Sequence, residues 1–458
     1  MYQLDFAKPI HVYFCGIGGI SMSGLAEILL SRGFKISGSD MRESAITESL
    51  REKGIDIYIG QRSSNITDDI DLFVYTAAIS KDNPEWIAKT NQNIPSLSRA
   101  ELLGEIMKNY ELPIAISGTH GKTTTTGMIS EILMAKDADP TISIGGILNS
   151  INANIRVGHS RYFVTEACEY TNSFLSFFPK IALILNIEED HLDFFKDIDD
   201  IRNSFSEFAG LLPMDGDLII NGAIEHLDKV TSTVTCPVHT FGLSDEFEYY
   251  ATDITYDEHS LPSYTLHSPA GTVQIKLGVP GIHNVLNSLA AICCADICGI
   301  DRKVTIATIK EYTGTERRFE YKGKIGDVTI IDDYAHHPTE ISATLAAAAN
   351  YPHKKLWVAF QPHTYTRTKA FLTEFANALS AADEIILADI YAAREKNTIG
   401  ISSKDLQSEI KKLGKKCQYF PTFDEIENFI LENCSPGDLL ITMGAGDIVK
   451  VGENLLGI

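Results

Sequence analysis

Ten consecutive residues, Ser117-Gly118-Thr119-His120-Gly121-Lys122-Thr123-Thr124-Thr125-Thr126, have the types and spacing of a turn that handles phosphate. Gly118 and Gly121 let backbone N–H groups approach phosphate oxygens. Lys122 can reach the β- and γ-phosphates of a nucleotide, and Thr123 can ligate Mg²⁺. The usual phosphate loop has four residues between its glycines; this chain has two, and Ile116 stands where the first glycine would be. An ordinary glycine turn is the alternative reading. Lys122 is expected on a solvent-facing loop, where losing it costs electrostatics and little packing.

Other groups stand at the ends of apolar runs. Glu166 closes Tyr162-Phe163-Val164-Thr165, where an acid beside a phosphate chain can ligate Mg²⁺, a cation that wants hard oxygen ligands. Asn186-Ile187-Glu188-Glu189-Asp190-His191-Leu192-Asp193 is dense in metal-capable groups; it reads as a solvated acidic loop or, beside a nucleotide, as the place of a second cation. Asp332-Asp333-Tyr334-Ala335-His336-His337-Pro338-Thr339-Glu340 and Phe360-Gln361-Pro362-His363-Thr364-Tyr365-Thr366-Arg367-Thr368 put His, Tyr and Arg at two further run ends. Arginine can clamp a carboxylate or phosphate in bidentate fashion. No third ligand with suitable spacing joins the histidines, so no zinc site is expected. An earlier glycine turn, Gly16-x-Gly18-Gly19, has Asp40 about 20 residues on, a loose form of the dinucleotide fingerprint. Alone it suggests an NAD enzyme or a structural turn; more firmly, it suggests a pyrophosphate-compatible helix N-terminus with a carboxylate near a ribose or base.

The elements that must position these groups are strands running through glycine turns into helices. The first start is Ile10 to Cys15, with later strands ending at Asp40 and Thr76. The second is Leu112 to Ile116, with strands at 162–166 and 181–186 and a Thr/Tyr-alternating patch over about 236–280. The third follows Arg317-Arg318-Phe319, with strands at 328–332, 356–360, 384–388 and 438–442. Alternating strands and helices imply mostly parallel sheets with right-handed crossovers, and ligands in such sheets collect at the carboxyl ends of strands.

The chain has 458 residues, 44% hydrophobic and 22% charged, too long for one ordinary core. Its net charge of −22 repels nucleic acid and anionic membranes, so neither is expected as a partner. The eight cysteines form no CxxC pair and several lie in apolar runs, which fits a reducing cytoplasm. No run approaches the ~18 apolar residues of a membrane span, and a cytoplasmic, unanchored protein is expected.

Taken in order, Gly16 to Glu27, Gly118-Thr119-His120-Gly121-Lys122-Thr123-Thr124, Asn186 to Asp193, Pro280-Gly281-x-His283-Asn284-x-x-Asn287, Arg317-Arg318-Phe319, Asp332 to Glu340 and Gly444-Ala445-Gly446-Asp447-Ile448 resemble the Mur ligases. The resemblance covers about residues 10–450. It implies three α/β domains: a Rossmann-like UDP-substrate domain (1–109), a central phosphate-loop ATPase domain (110–315) and a Rossmann-like C-terminal domain that brings the amino acid (316–458). The implied reaction joins L-alanine to the carboxylate of UDP-N-acetylmuramate through an acyl phosphate made with ATP and Mg²⁺, in peptidoglycan precursor synthesis. A relative joining a tripeptide to the same substrate is the nearest alternative; an NAD-linked oxidoreductase is the alternative from another class.

By the same resemblance Gly118, Thr119, His120, Gly121, Lys122, Thr123 and Thr124 hold ATP, with His283, Asn284 and Asn287 on its adenine side and Arg318 near the phosphates. Thr123 and Glu166 would hold one Mg²⁺ and His191 a second. Gly18, Gly19, Asp40 and Thr76 would serve the UDP substrate, and Tyr334, His336 and Arg367 would face alanine. Lys122, Glu166, His191 and Arg318 are the implied catalytic set. Two departures stand out. Many relatives have Asp where this chain has Cys168, and many have Arg where it has Thr364, which removes one cation near the expected amino-acid site.

Overall fold

Apolar runs ending in glycine-bearing turns form the strands of three mainly parallel sheets. The computed structural model describes residues 2–393 and 395–458. The chain divides into two compact units, one made of residues 1–187 and 199–239, the other of 188–198 and 240–458.

In the first unit, one sheet has the order Asp56–Ile59, Lys35–Asp40, His11–Cys15, Leu72–Tyr75, Ser96–Ser98. All four pairings are parallel. The chain reverses direction across the sheet beside His11–Cys15, and the crevice outside strand ends at such a switch point is where doubly wound folds take ligands. Two helices start at capping boxes: Ser44 with Thr47 before Ala45–Glu52, and Ser98 with Glu101 before Arg99–Met107. Each satisfies two otherwise orphaned helix-end donors.

The second sheet's strands in this unit run in the order Asp217–Asn221, Ile181–Ile184, Leu112–Ser117, Tyr162–Glu166, Thr141–Leu148, Ala153–Arg156. They are parallel except for the closing hairpin. Ile114, Ile116, Ala182 and Ile184 are fully buried, as continuous apolar runs demand in a sheet covered on both faces.

In the second unit, Tyr249–Tyr256, Pro262–Ser268 and Gly271–Lys276 form an antiparallel meander, the expected Thr/Tyr-alternating patch. Helices Ile282–Ile297 and Arg302–Glu311 follow. The third sheet has the order Glu320–Ile325, Val328–Asp333, Leu439–Met443, Leu356–Phe360, Glu384–Leu387, Cys417–Tyr419, parallel after its first hairpin. Side chains alternate between its faces. Ile331, Val358, Phe360 and Ile441 enter one core, while Ile330, Trp357, Ala359 and Leu440 enter the other. Each fully buried aliphatic side chain contributes about 1.5–3 kcal/mol, which holds rigid the strand ends that carry the polar clusters. No helix among the described residues is long and apolar enough to cross a membrane.

Candidate active site

Strand Leu112–Ser117 runs into the glycine turn and then into helix Lys122–Ala135. Gly118 has φ +141° and Gly121 φ +84°, conformations that L side chains rarely adopt. A side chain at Gly118 would also run into the backbone of Leu185 and Asn186, 3.1 Å away. Asn186 clips the turn from the end of the neighbouring strand. Its carbonyl accepts from Thr119 N at 3.2 Å, its Oδ1 accepts from His120 N at 2.7 Å, and its Nδ2 donates to the His120 carbonyl at 3.1 Å. The helix begins at Gly121 without a side-chain cap, which leaves its first amides and their partial positive charge for an anion.

Lys122 does not face solvent, contrary to the expectation from sequence. It is the first residue of the helix, and its side chain is 16% exposed against 3% for Glu169. Nζ donates to the carbonyls of Gly118 and Thr119 and pairs with Glu169 Oε2 at 3.0 Å. Burial alone would lower the lysine's pKa, but the Glu169 carboxylate outweighs it and holds the pKa above the ordinary value. Glu169 escaped sequence reasoning. Its position three residues after Glu166 was the available signal, and Thr171 and Asn172, both at φ +56°, shape the turn that follows it. Cys168, beside it, is pushed up to about 11 by burial and by Glu169, so at neutral pH it is a thiol and cannot stand in for a carboxylate. Glu166 ends its strand as expected, with Oε1 accepting from Gly145 N at 2.6 Å, and Thr123 is buried in the first helical turn.

At the first glycine turn, Asp40 Oδ2 accepts from Gly18 N at 2.9 Å and Oδ1 from Met41 N at 2.7 Å. Asp40 therefore shapes the turn itself. Thr76 packs beneath Gly16, where an added Cβ would lie 2.7 Å from its Cγ2. Gly18, Gly19, Asp40 and Thr76 thus share the carboxyl edge of the first sheet.

His191, His283, Asn284, Asn287, Arg318, Tyr334, His336 and Arg367 belong to the second unit, whereas Thr123 and Glu166 belong to the first. Within the second unit the acidic segment docks on the carboxyl edge of the third sheet. Arg367 pairs with Asp190 through Nη2 at 2.7 Å and Nε at 3.1 Å. Burial would raise the Asp190 pKa, but the Arg367 charge holds it well below the usual carboxylate range. His337 Nε2 lies 3.1 Å from the Glu189 carbonyl, and Thr339 Oγ1 donates to Glu188 at 2.7 Å. His191 has φ +53°, and its N–H donates to Asp190 Oδ1.

Tyr334 and His336 come together edge to face at 5.5 Å, and the guanidinium of Arg318 lies 5.2 Å above the Tyr334 ring. His363 lies 3.3 Å from Arg367 Nη1, and burial, His336 and Arg367 push it down to about 4, leaving a neutral acceptor. His283 is likewise pushed down to about 4, by burial and then by Arg318; its Nδ1 is buried without a hydrogen-bond partner. Asn284 Nδ2 donates to the Pro280 carbonyl and Asn287 Nδ2 to Asn284 Oδ1. Thr364 takes up φ +64° and caps helix Tyr365–Ala370 by accepting from Arg367 N. Thr364 thus holds the backbone that presents Arg367.

A phosphate-loop strand, turn and helix in the first unit and, in the second, an acid-rich segment docked on an Arg/His cluster at strand ends are the equipment of a nucleotide-handling enzyme. Family models match the Mur ligase family catalytic domain over residues 11–111, the Mur ligase middle domain over 116–295 and the Mur ligase glutamate ligase domain over 317–446. The chain belongs to the Mur ligase family and has its three-domain α/β fold. It is 57% identical over 457 residues to the UDP-N-acetylmuramate–L-alanine ligase of Agathobacter rectalis, with all of both chains covered. It is 59% identical over 461 residues, again with both chains covered in full, to the enzyme of the same name from Lachnospira eligens. The crystal structure of a UDP-N-acetylmuramate–alanine ligase from Thermotoga maritima superposes with a TM-score of 0.81 at 29% identity, covering 98% of each chain.

Proposed function

We propose that this chain joins L-alanine to the carboxylate of UDP-N-acetylmuramate at the expense of ATP, in the cytoplasm, as a step of peptidoglycan precursor synthesis. Full-length identity of 57–59% to relatives bearing that activity in their names carries the reading. The tripeptide-joining alternative is represented by solved murein peptide ligases at only 24–26% identity, well below that of these relatives.

ATP and Mg²⁺ fit the residues present. Two glycines with positive φ, an uncapped helix N-terminus and a sheltered lysine form a cradle for phosphate. The buried, uncharged His283 leaves Nδ1 without a hydrogen-bond partner, and with its proton on Nε2 that nitrogen would accept from an adenine amino group. Residues 118–124 would hold the phosphates, His283, Asn284 and Asn287 the base, and Thr123, Glu166 and His191 the cations. Mg²⁺ screens the repulsion between an attacking carboxylate and a polyanionic nucleotide. Lys122 places a fixed positive charge where the transferring phosphoryl group gains negative charge. Arg318 is assigned to the same phosphates. Arg367 is assigned to the alanine carboxylate, with Asp190 fixing the guanidinium plane, Thr364 fixing its backbone, and Tyr334 and His336 walling the pocket. Gly18, Gly19, Asp40 and Thr76 are assigned to the UDP moiety, and the functional segments are 1–109, 110–315 and 316–458.

Phosphate release measured with UDP-N-acetylmuramate and alanine, glycine, serine or the tripeptide in turn tests the reading. Alanine is expected to give the highest kcat/KM. Preferential turnover of the tripeptide, or none with any amino acid, would overturn it.

A further inference from the structure

The two arginines of Arg317-Arg318-Phe319 are adjacent in sequence and opposite in use. Arg317 is spent inside the fold. Its Nε donates to Asp332 Oδ2 at 2.9 Å, its Nη1 to the Gly446 carbonyl at 2.9 Å and its Nη2 to the Gly444 carbonyl at 2.7 Å. Asp332 is fully buried, and its other oxygen accepts from Thr442 Oγ1 at 2.7 Å. One side chain thus joins the segment before strand Glu320–Ile325 to the carboxyl ends of strands Val328–Asp333 and Leu439–Met443. Among the described residues the guanidinium of Arg318 has a single ion-pair partner, Glu340 Oε1 at 4.0 Å, and that carboxylate also accepts from His336 N at 3.0 Å.

The backbone around the pair is strained and pinned. Arg317 has φ +61° and Phe319 φ +50°, a region that non-glycine residues seldom enter and keep only where their surroundings over-determine it. Arg317 N donates to Glu320 Oε2 at 2.9 Å, the Arg317 carbonyl accepts from Tyr334 N at 2.7 Å, and Phe319 N donates to the buried Asp333 Oδ2 at 2.9 Å. Both guanidinium groups then lie against one ring, Arg317 at 4.9 Å and Arg318 at 5.2 Å from the centroid of Tyr334. A planar charged fork can serve a carboxylate, two carbonyls and an aromatic face at once, which the point charge of an ammonium cannot.

We infer that Arg317 is a positioning residue: anchored on Asp332, Gly444 and Gly446, it fixes the strained turn that presents Arg318 and the ring of Tyr334 together. The inference rests on the functional reading above, which assigns Arg318 to the phosphates and Tyr334 to alanine. It adds the side chain that makes the two act from one fixed turn.

The test is steady-state kinetics with each substrate varied, equilibrium binding of UDP-N-acetylmuramate, and urea unfolding, on the parent protein and Arg317→Lys. The lysine keeps a charge for Asp332 and loses the fork. Misplacing reacting groups by about 1 Å costs on the order of a hundredfold in rate. Arg317→Lys is therefore expected to lower kcat about 10- to 100-fold and to raise the KM for alanine at least tenfold, with affinity for UDP-N-acetylmuramate within twofold of the parent. A side chain that served stability alone would shift the urea midpoint and leave both kinetic constants of the folded protein in place. Values of kcat and alanine KM within threefold of the parent would overturn the inference. So would a loss of affinity for UDP-N-acetylmuramate as large as the rise in alanine KM, which would mark a general loss of fold. If Arg317→Lys does not fold, Arg317→Met/Asp332→Asn, which removes the buried carboxylate's charge along with its partner, takes its place with the same thresholds. A parent protein that does not join alanine to UDP-N-acetylmuramate would overturn the functional reading itself, whereas an active parent with an indifferent variant sinks only the role of Arg317.

Discussion

Replacing Lys122 by methionine should cost activity and stability together, and a second substitution should separate the two. Lys122 and Glu169 are 16% and 3% exposed and meet at 3.0 Å. Removing one member of so sheltered a pair leaves the other charge in a site that water cannot easily solvate, typically a loss of about 3–5 kcal/mol. The same lysine is assigned to stabilise transferring charge, and losing a donor of that kind costs about 3–4 kcal/mol of barrier, or two to three orders of magnitude in rate. Lys122→Met should therefore unfold at markedly lower urea and turn over at least a hundredfold more slowly. In Lys122→Met/Glu169→Gln the buried charge is gone as well, so stability should return to within about 1 kcal/mol of the parent. Activity should not return. Because the Lys122 pKa is raised in the folded state, its contribution is whole below the unfolded value near 10.4 and is lost only as pH rises through the higher folded value. Measurements near about pH 7.5 thus read the intact pair. Turnover within tenfold of the parent in Lys122→Met would refute the phosphate-loop assignment. Unchanged urea stability would refute the account of the ion pair.

Three further outcomes follow from the same geometry. Asp190→Asn removes the charge that orients Arg367, so the KM for alanine should rise at least tenfold with the KM for ATP within twofold; steady-state kinetics with each substrate varied reads the split. His283, pushed down to about 4, should keep a neutral imidazole through pH 5 by NMR titration; because the unfolded chain binds that proton more readily, its burial should make stability fall as pH drops from the unfolded value near 6.5 toward 4. Thr364→Ala removes the cap of helix Tyr365–Ala370, an expected loss of about 1 kcal/mol in urea unfolding together with a raised KM for alanine, and Thr364→Arg should lose the same cap.

What the sequence made legible was local. A strand, two glycines with positive φ and a lysine opening a helix are set by neighbours in the chain, and they stand where the spacing put them. The same holds for the capping boxes before Ala45–Glu52 and Arg99–Met107 and for the alternation of Ile330 and Ile331 between two cores. The charges these elements recruit were not legible, because ion pairs answer to tertiary distance. Glu169 meets Lys122 across 47 residues of sequence and Asp190 meets Arg367 across 177. The run from Asn186 to Asp193 shows the difference most clearly. Read as a metal-capable cluster, it divides in the structure. Asn186 is spent on clipping the phosphate turn in the first unit, while Glu188, Glu189 and Asp190 dock on the third sheet in the second.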